Sequence, residues 1–155
     1  MSGRHTTRGE RAGMTGKIDH LVIGADNLAA AAAHGEACLG QSPGRIGHHP
    51  AMGTHNRLWS LGPADYLEAV APDPAAPAPG HARWFGLDSA GPARLAAWVL
   101  RVDDLEAARA IAPEGIGGAM ALERGVYHWR ITVPKRGVQP FDGLFPALIT
   151  WDSAP

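Results

Sequence analysis

Short apolar runs closed by Gly, Pro, Asn or Asp recur along the chain, and two of them hold a polar residue inside. Ile18-Asp19-His20-Leu21-Val22-Ile23-Gly24 is rich in Val and Ile and leads into the turn-like Ala25-Asp26-Asn27, which predicts a buried strand. Side chains alternate across a strand, so Ile18, His20 and Val22 share one face and Asp19, Leu21 and Ile23 the other. Tyr66-Leu67-Glu68-Ala69-Val70 has the same character, with a carboxylate inside the run. Burying His20 or Glu68 unpaired would cost on the order of several kcal/mol. Both side chains are therefore expected to face one cavity, close enough to share a proton, a water or an ion.

Between these runs the period changes. From Asp26-Asn27-Leu28 an alanine-rich stretch reaches Cys38-Leu39 and stops at Gly40. It predicts a helix capped by Asp26, with Leu28, Ala32 and Leu39 on one side and Gly40 at its C-terminus. Gln41 to Met52 reads as a loop, with a short strand around Arg45-Ile46-Gly47. Gly53 to Gly62 alternates as a strand, Pro63-Ala64-Asp65 turns the chain, and Asp65 to Ala71 returns as the hairpin partner. Ala71 to Pro79 is a Pro/Ala connector of extended character, and Trp84-Phe85-Gly86-Leu87 is a short helical turn.

The second half repeats the first. When Ile18 is set on Leu95, Val22 meets Val99, Ile23 meets Leu100, Asp26-Asn27-Leu28 meets Asp103-Asp104-Leu105, and Ala30-Ala31 meets Ala107-Ala108. Leu95–Val102 is thus the counterpart of the first strand, with a helix starting near Asp103. Strands at Met120–Glu123, Val126–Val133 and Phe145–Trp151 follow. The expected fold is α+β, built from two strand-helix-strand-strand-strand modules at 17–71 and 94–152, joined by a connector at 72–93. Residues 1–16, rich in Arg, Ser, Thr and Gly, read as a disordered tail.

Composition narrows the function classes. With 155 residues, 45% apolar content and a formal net charge of -1, the chain lacks the basic excess of a general nucleic-acid binder. Its one cysteine, Cys38, excludes a disulfide framework and a cysteine zinc site, and reads as a buried, inert thiol in a reducing cytoplasm. No apolar run is long enough for a membrane span or a secretory signal.

Ile18-Asp19-His20-Leu21-Val22, Gly53-Thr54-His55-Asn56-Arg57-Leu58, Tyr66-Leu67-Glu68, Leu95-Ala96-Ala97-Trp98 and Pro146-Ala147-Leu148-Ile149-Thr150-Trp151 together resemble the glyoxalase-like domain family of the vicinal oxygen chelate superfamily. The resemblance runs from about Ile18 to Trp151. It implies two half-open curved sheets enclosing a cavity. In metal-dependent members, first-strand and last-strand residues of each module point into that cavity as ligands. Here it implies His20 and Glu68 as metal ligands in module one. In module two it offers Ala97 opposite His20, and Thr150 or Trp151 near the position of Glu68. The implied donor set is incomplete, so a divalent ion (zinc, manganese, magnesium or nickel) would be held weakly, and metal-free chemistry stands beside it.

Further candidates surround this pair. His55, Asn56 and Arg57 precede an apolar stretch and are read either as ligand-binding groups at the cavity mouth or as residues serving their own backbone. His48 and His49 are adjacent, so on extended chain they point opposite ways, with one of them able to face the cavity. Of the five tryptophans, Trp98 and Trp151 are read as an aromatic wall for a ligand, and the bland alternative is sheet packing. His128 and Arg130 share a face, taken as solvent. Two functions remain open. One is an enzyme of lyase or isomerase type, transferring a proton on a carbonyl-bearing small molecule with Glu68 as base and His20 beside it. The other is a ligand-binding or drug-sequestering protein of the same fold. A homodimer is expected, because half-open sheets leave edges to cover.

Overall fold

The computed structural model describes residues 15–153, so the predicted tail lies almost wholly outside the described residues. Module one contains β1 (Gly16–Gly24), α1 (Leu28–Leu39), β2 (Gly47–His49), β3 (Thr54–Ser60) and β4 (Tyr66–Pro72). Module two repeats the order with β5 (Arg94–Val102), α2 (Leu105–Ile111), β6 (Gly118–Arg124), β7 (Tyr127–Val133) and β8 (Ala147–Trp151). The strands form one curved sheet in the order β2-β3-β4-β1-β5-β8-β7-β6. β1 lies antiparallel to β5, while β1 and β4, and likewise β5 and β8, run parallel. The modules thus meet back to back along their first strands. Arg124, at the end of β6, reaches Asn56 on β3 and so brings the far edges of the sheet together.

The local signals act as the chemistry requires, with corrections. The helix caps are Asn27, whose side chain accepts from the Ala30 N–H, and Asp104, which accepts from the Ala107 N–H. They are one repeat apart. Asp26 is not the cap and instead accepts from the Asn27 side chain. Gly40 ends α1 in the left-handed region at φ 66°. The buried stripe of α1 is Leu28, Ala31, Ala32 and Gly35. Gly35 is required there because a Cβ would lie 2.5 Å from the Trp59 ring. Leu39 and Cys38 are exposed, since the last turn of α1 runs beyond this stripe, and Cys38 is not the buried thiol the sequence suggested. Asn27→Ala should cost about 1 kcal/mol of unfolding free energy through loss of the cap, measurable by chemical denaturation.

The core has three parts. One lies under α1 and a smaller one under α2. The third fills the concave face with Val22, Val70, Trp84, Val99, Trp129 and Ile149 among others. Trp84 and Phe85 come from the connector, where two short helical turns (Trp84–Ser89) break at Phe85 and Gly86, both at positive φ. The connector is therefore partly a packed wall of the cavity. β2 lies later than expected and includes His48 and His49, which the sequence placed in a loop.

Candidate active site

β1 does not alternate cleanly. Its register against β5 shifts between Ile18 and His20, leaving Asp19 as an extra residue in the strand. His20 and Val22 still face the cavity, and Leu21 and Ile23 face α1. Asp19, expected on the helix side, is fully buried and bonded to its neighbour: the His20 Nδ1–H donates to Asp19 Oδ1 at 2.6 Å. The second oxygen, Oδ2, accepts from Arg101 Nε at 2.7 Å and Trp151 Nε1 at 2.9 Å.

On the other side of the imidazole stands Glu68. Its Oε2 is 3.5 Å from His20 Nε2, and its Oε1 accepts from Asn56 Nδ2 at 2.7 Å. The parallel pairing of β1 with β4 sets Tyr66 beside His20 and Glu68 beside Val22. The Tyr66 ring stacks on His20, with centroids 4.3 Å apart. His49 reaches in from β2, its Nδ1–H donating to Thr54 Oγ1 at 3.2 Å while Nε2 stands 3.4 Å from Asn56 Nδ2. The outcome is a buried line, Asp19–His20–Glu68–Asn56, with a histidine held between two carboxylates.

Module two supplies the apolar wall. Trp129, Ile131, Ile149 and Trp151 face His20 and Glu68 across a small chamber of about 30 Å³, room for about one water. A cleft of about 490 Å³ adjoins it past His49 and Trp129, and another of about 250 Å³ adjoins it past Tyr66, Arg124 and Trp151. The larger spaces are thus approaches, and the titratable groups sit in the narrow part between them.

The remaining candidates are placed by strand alternation. Asn56 enters the chamber, but His55 and Arg57 do not line it. Arg57 donates to the carbonyls of Gly44 and Pro43 and so fastens the loop after α1. Trp151 is on the chamber wall, whereas Trp98 lies outside it and donates to the Leu144 carbonyl. His128 is half exposed, and Arg130 pairs with Asp152. Trp84, buried in the wall, has its indole N–H without a partner among the described residues.

The charge states follow from these contacts. Burial pushes the Glu68 carboxyl up, but the His20 hydrogen bond and charge, with help from His49 and Asn56, outweigh it and the net direction is down. Burial likewise disfavours the His20 cation, but hydrogen bonds to Asp19 and Glu68 and their charges turn the net direction upward. Asp19 is lowered: burial opposes ionisation, and His20, Trp151 and Arg101 overcome it. His49 is held down to about 4, mainly by burial, and stays neutral. The pair thus favours a Glu68 carboxylate facing a His20 imidazolium over the raised carboxyl that burial alone would produce.

These directions set the pH dependence of stability. The His20 contribution is complete below its ordinary 6.5 and is lost as the pH rises through its raised folded value. The Asp19 and Glu68 contributions are complete above their ordinary 3.8 and 4.5 and are lost as the pH falls through their lowered folded values. His49 adds to the acid limb, because the unfolded chain takes up its proton between 6.5 and about 4 while the folded one does not. Denaturation midpoints should therefore peak near 6.5 and fall on both sides, with His20→Gln removing the alkaline limb below the range where Tyr66, raised by burial, begins to cost stability above 10.

Whether the chamber fits a resident divalent ion is decided by its donors. Strand register pairs Val22 with Glu68 in module one and Val99 with Ala147 in module two, so Ala147, rather than Thr150 or Trp151, is the counterpart of Glu68. Ala97 stands on β5 opposite Val22. The second half of a four-ligand set is thus two alanines. His20 and Glu68 are already paired with each other and with Asp19 and Asn56, and this set does not fit a resident zinc, manganese, magnesium or nickel ion.

Residues 18–155 match the family model described as "Glyoxalase-like domain". No curated protein matches the sequence. Among solved structures, methylmalonyl-CoA epimerase from Mycobacterium tuberculosis is 21% identical over 92% of this chain and 90% of its own, with a TM-score of 0.52. A methylmalonyl-CoA epimerase in complex with methylmalonyl-CoA and ammonium is 18% identical over 92% of this chain and 98% of its own, with a TM-score of 0.54. A hypothetical protein from Staphylococcus aureus is 19% identical over 90% of this chain and 59% of its own, with a TM-score of 0.61. At these identities the structural likeness is one of fold. The extent of the family match, the paired βαβββ modules and the curved sheet agree, and the chain belongs to the glyoxalase-like domain family.

Proposed function

We propose that the protein catalyses proton transfer at the carbon next to a carbonyl group of a small molecule, as an isomerase or lyase. The observation that carries this reading is the buried Glu68 carboxylate facing His20 across 3.5 Å at a chamber open to two clefts. Glu68 takes the proton from the carbon acid, and the electron pair moves onto the carbonyl oxygen. Arg124, the cation on the chamber wall, offsets the charge that develops there. Glu68 then returns the proton: delivered to the opposite face after the planar enolate has turned, it gives an epimer, and loss of a neighbouring leaving group from the enolate gives a lyase product. Asn56 fixes the basic carboxylate, and Asp19 holds the His20 ring and its charge. The fold is shared with epimerases that act on methylmalonyl-CoA, which makes thioesters with an acidic α-hydrogen the first substrate class to test. No step of this reading passes through a metal ion.

The aromatic wall favours a second reading, a ligand-binding or drug-sequestering protein. Trp84, Trp129 and Trp151 line the chamber, and the indole N–H of Trp84 lacks a partner. Incubation with chiral α-substituted thioesters and keto acids in deuterated water separates the two. Deuterium entering the α-position with loss of optical purity supports the enzyme. Saturable ligand binding with no exchange from any member of the set supports the binder.

A further inference from the structure

On the face of the sheet away from the chamber, three ligand-type side chains converge. His48 on β2 and His55 on β3 stand directly opposite each other in the antiparallel pair. His49 and Asn56 turn into the chamber, so His48 and His55 turn outward. Asp73 follows the end of β4. One ligand atom from each of the three lies within 4.8 Å of the others. Asp73 is buried and oriented: Oδ1 accepts from the Ala75 N–H at 2.9 Å, and Oδ2 accepts from His48 Nδ1 at 2.8 Å. His55 has no such arrangement. Its Nε2 is buried without a partner, and its Nδ1 stands 3.9 Å from Asp73 Oδ1, beyond hydrogen-bond range. Nδ1, the nitrogen nearer Asp73, has no hydrogen bond among the described residues and is open to a ligand.

We propose that His48, His55 and Asp73 bind one divalent transition ion of the zinc class, at a site separate from the chamber. Two imidazole nitrogens and one carboxylate oxygen suit zinc, whereas magnesium and calcium favour shells of oxygen alone. Metal–ligand bonds of about 2.0–2.2 Å ask for donors roughly 3.4 Å apart, closer than the 4.8 Å limit that contains them here. The His48 side chain, 59% exposed, is free to swing in toward His55 and Asp73. Three protein ligands leave a fourth position for water. The ion ties the edge strand β2 to β3 and to the end of β4.

The test is titration of the full-length, metal-free protein with zinc in competition with a chromophoric chelator. One equivalent should bind at micromolar zinc or below, and cobalt in its place should give the visible bands of a four-coordinate site. His55→Ala and Asp73→Asn should each weaken binding at least tenfold. His20→Ala and Glu68→Gln should leave it unchanged. Circular dichroism checks each variant, and if His55→Ala does not fold, His48→Ala on its exposed side chain decides. Absence of saturable binding at micromolar zinc would overturn the proposal. So would binding that survives both His48→Ala and His55→Ala, or binding lost in His20→Ala.

Discussion

Glu68→Gln should lower α-proton exchange by about 10²–10⁴-fold, the usual contribution of one positioned acid or base, while the protein stays folded. The amide keeps the shape: its oxygen still accepts from Asn56 Nδ2 and its NH2 can donate to His20 Nε2 once that ring is neutral, so the chamber survives without its base. The imidazolium then loses one of its two carboxylate partners and should titrate at a lower pH than in the wild type. Ligand affinity should change little, because the aromatic wall comes from other elements. A binding protein of the same fold would show a similarly modest change in affinity but no exchange in either the wild type or the variant. Exchange rates and affinities measured side by side on wild type and Glu68→Gln distinguish the two.

Asp19→Ala should be the most damaging single substitution for stability, lowering it by about 3–5 kcal/mol, the range for removing one member of a buried ion pair. Asp19 is fully buried and serves three partners at once: His20, Arg101 and Trp151. Its loss strands the His20 charge beside Glu68 alone and leaves the Trp151 N–H without an acceptor. Domains of this kind have only about 5–15 kcal/mol in total. Arg101→Ala should cost much less, because that side chain is partly exposed and Asp19 keeps its other two donors. Urea denaturation of both variants measures the ordering. Equal losses would mean that Asp19 acts through Arg101 rather than through His20.

The sequence carried the module repeat and the two polar positions buried in strands, because both are local patterns of period and residue type. Alternation within the expected Gly53–Gly62 strand also held the partition of Asn56 from His55 and Arg57, although the three were read together as one polar cluster. Once β3 is seen to begin at Thr54, Asn56 faces inward and its two neighbours outward. It held the split of His48 and His49 in the same way. Asp19 was not legible, because the register shift that turns it toward His20 arises from pairing with β5, far along the chain. Arg124 reaches the chamber only because the sheet curves until β6 meets β3. Tyr66 was within reach of the pattern, being two residues before Glu68 and therefore on its face. The zinc-type cluster depends on Asp73, which lies in a stretch that reads as connector.

The quantity on which the chemistry turns is the protonation of the His20 ring at neutral pH, and nitrogen-15 NMR of the histidine side chains observes it without any knowledge of the substrate. His20 should carry a proton on both ring nitrogens at neutral pH, titrate above 6.5, and shift downward in Glu68→Gln. A His20 ring that is neutral at pH 7, with one bare nitrogen and a titration unmoved by Glu68→Gln, would contradict the His20–Glu68 ion pair.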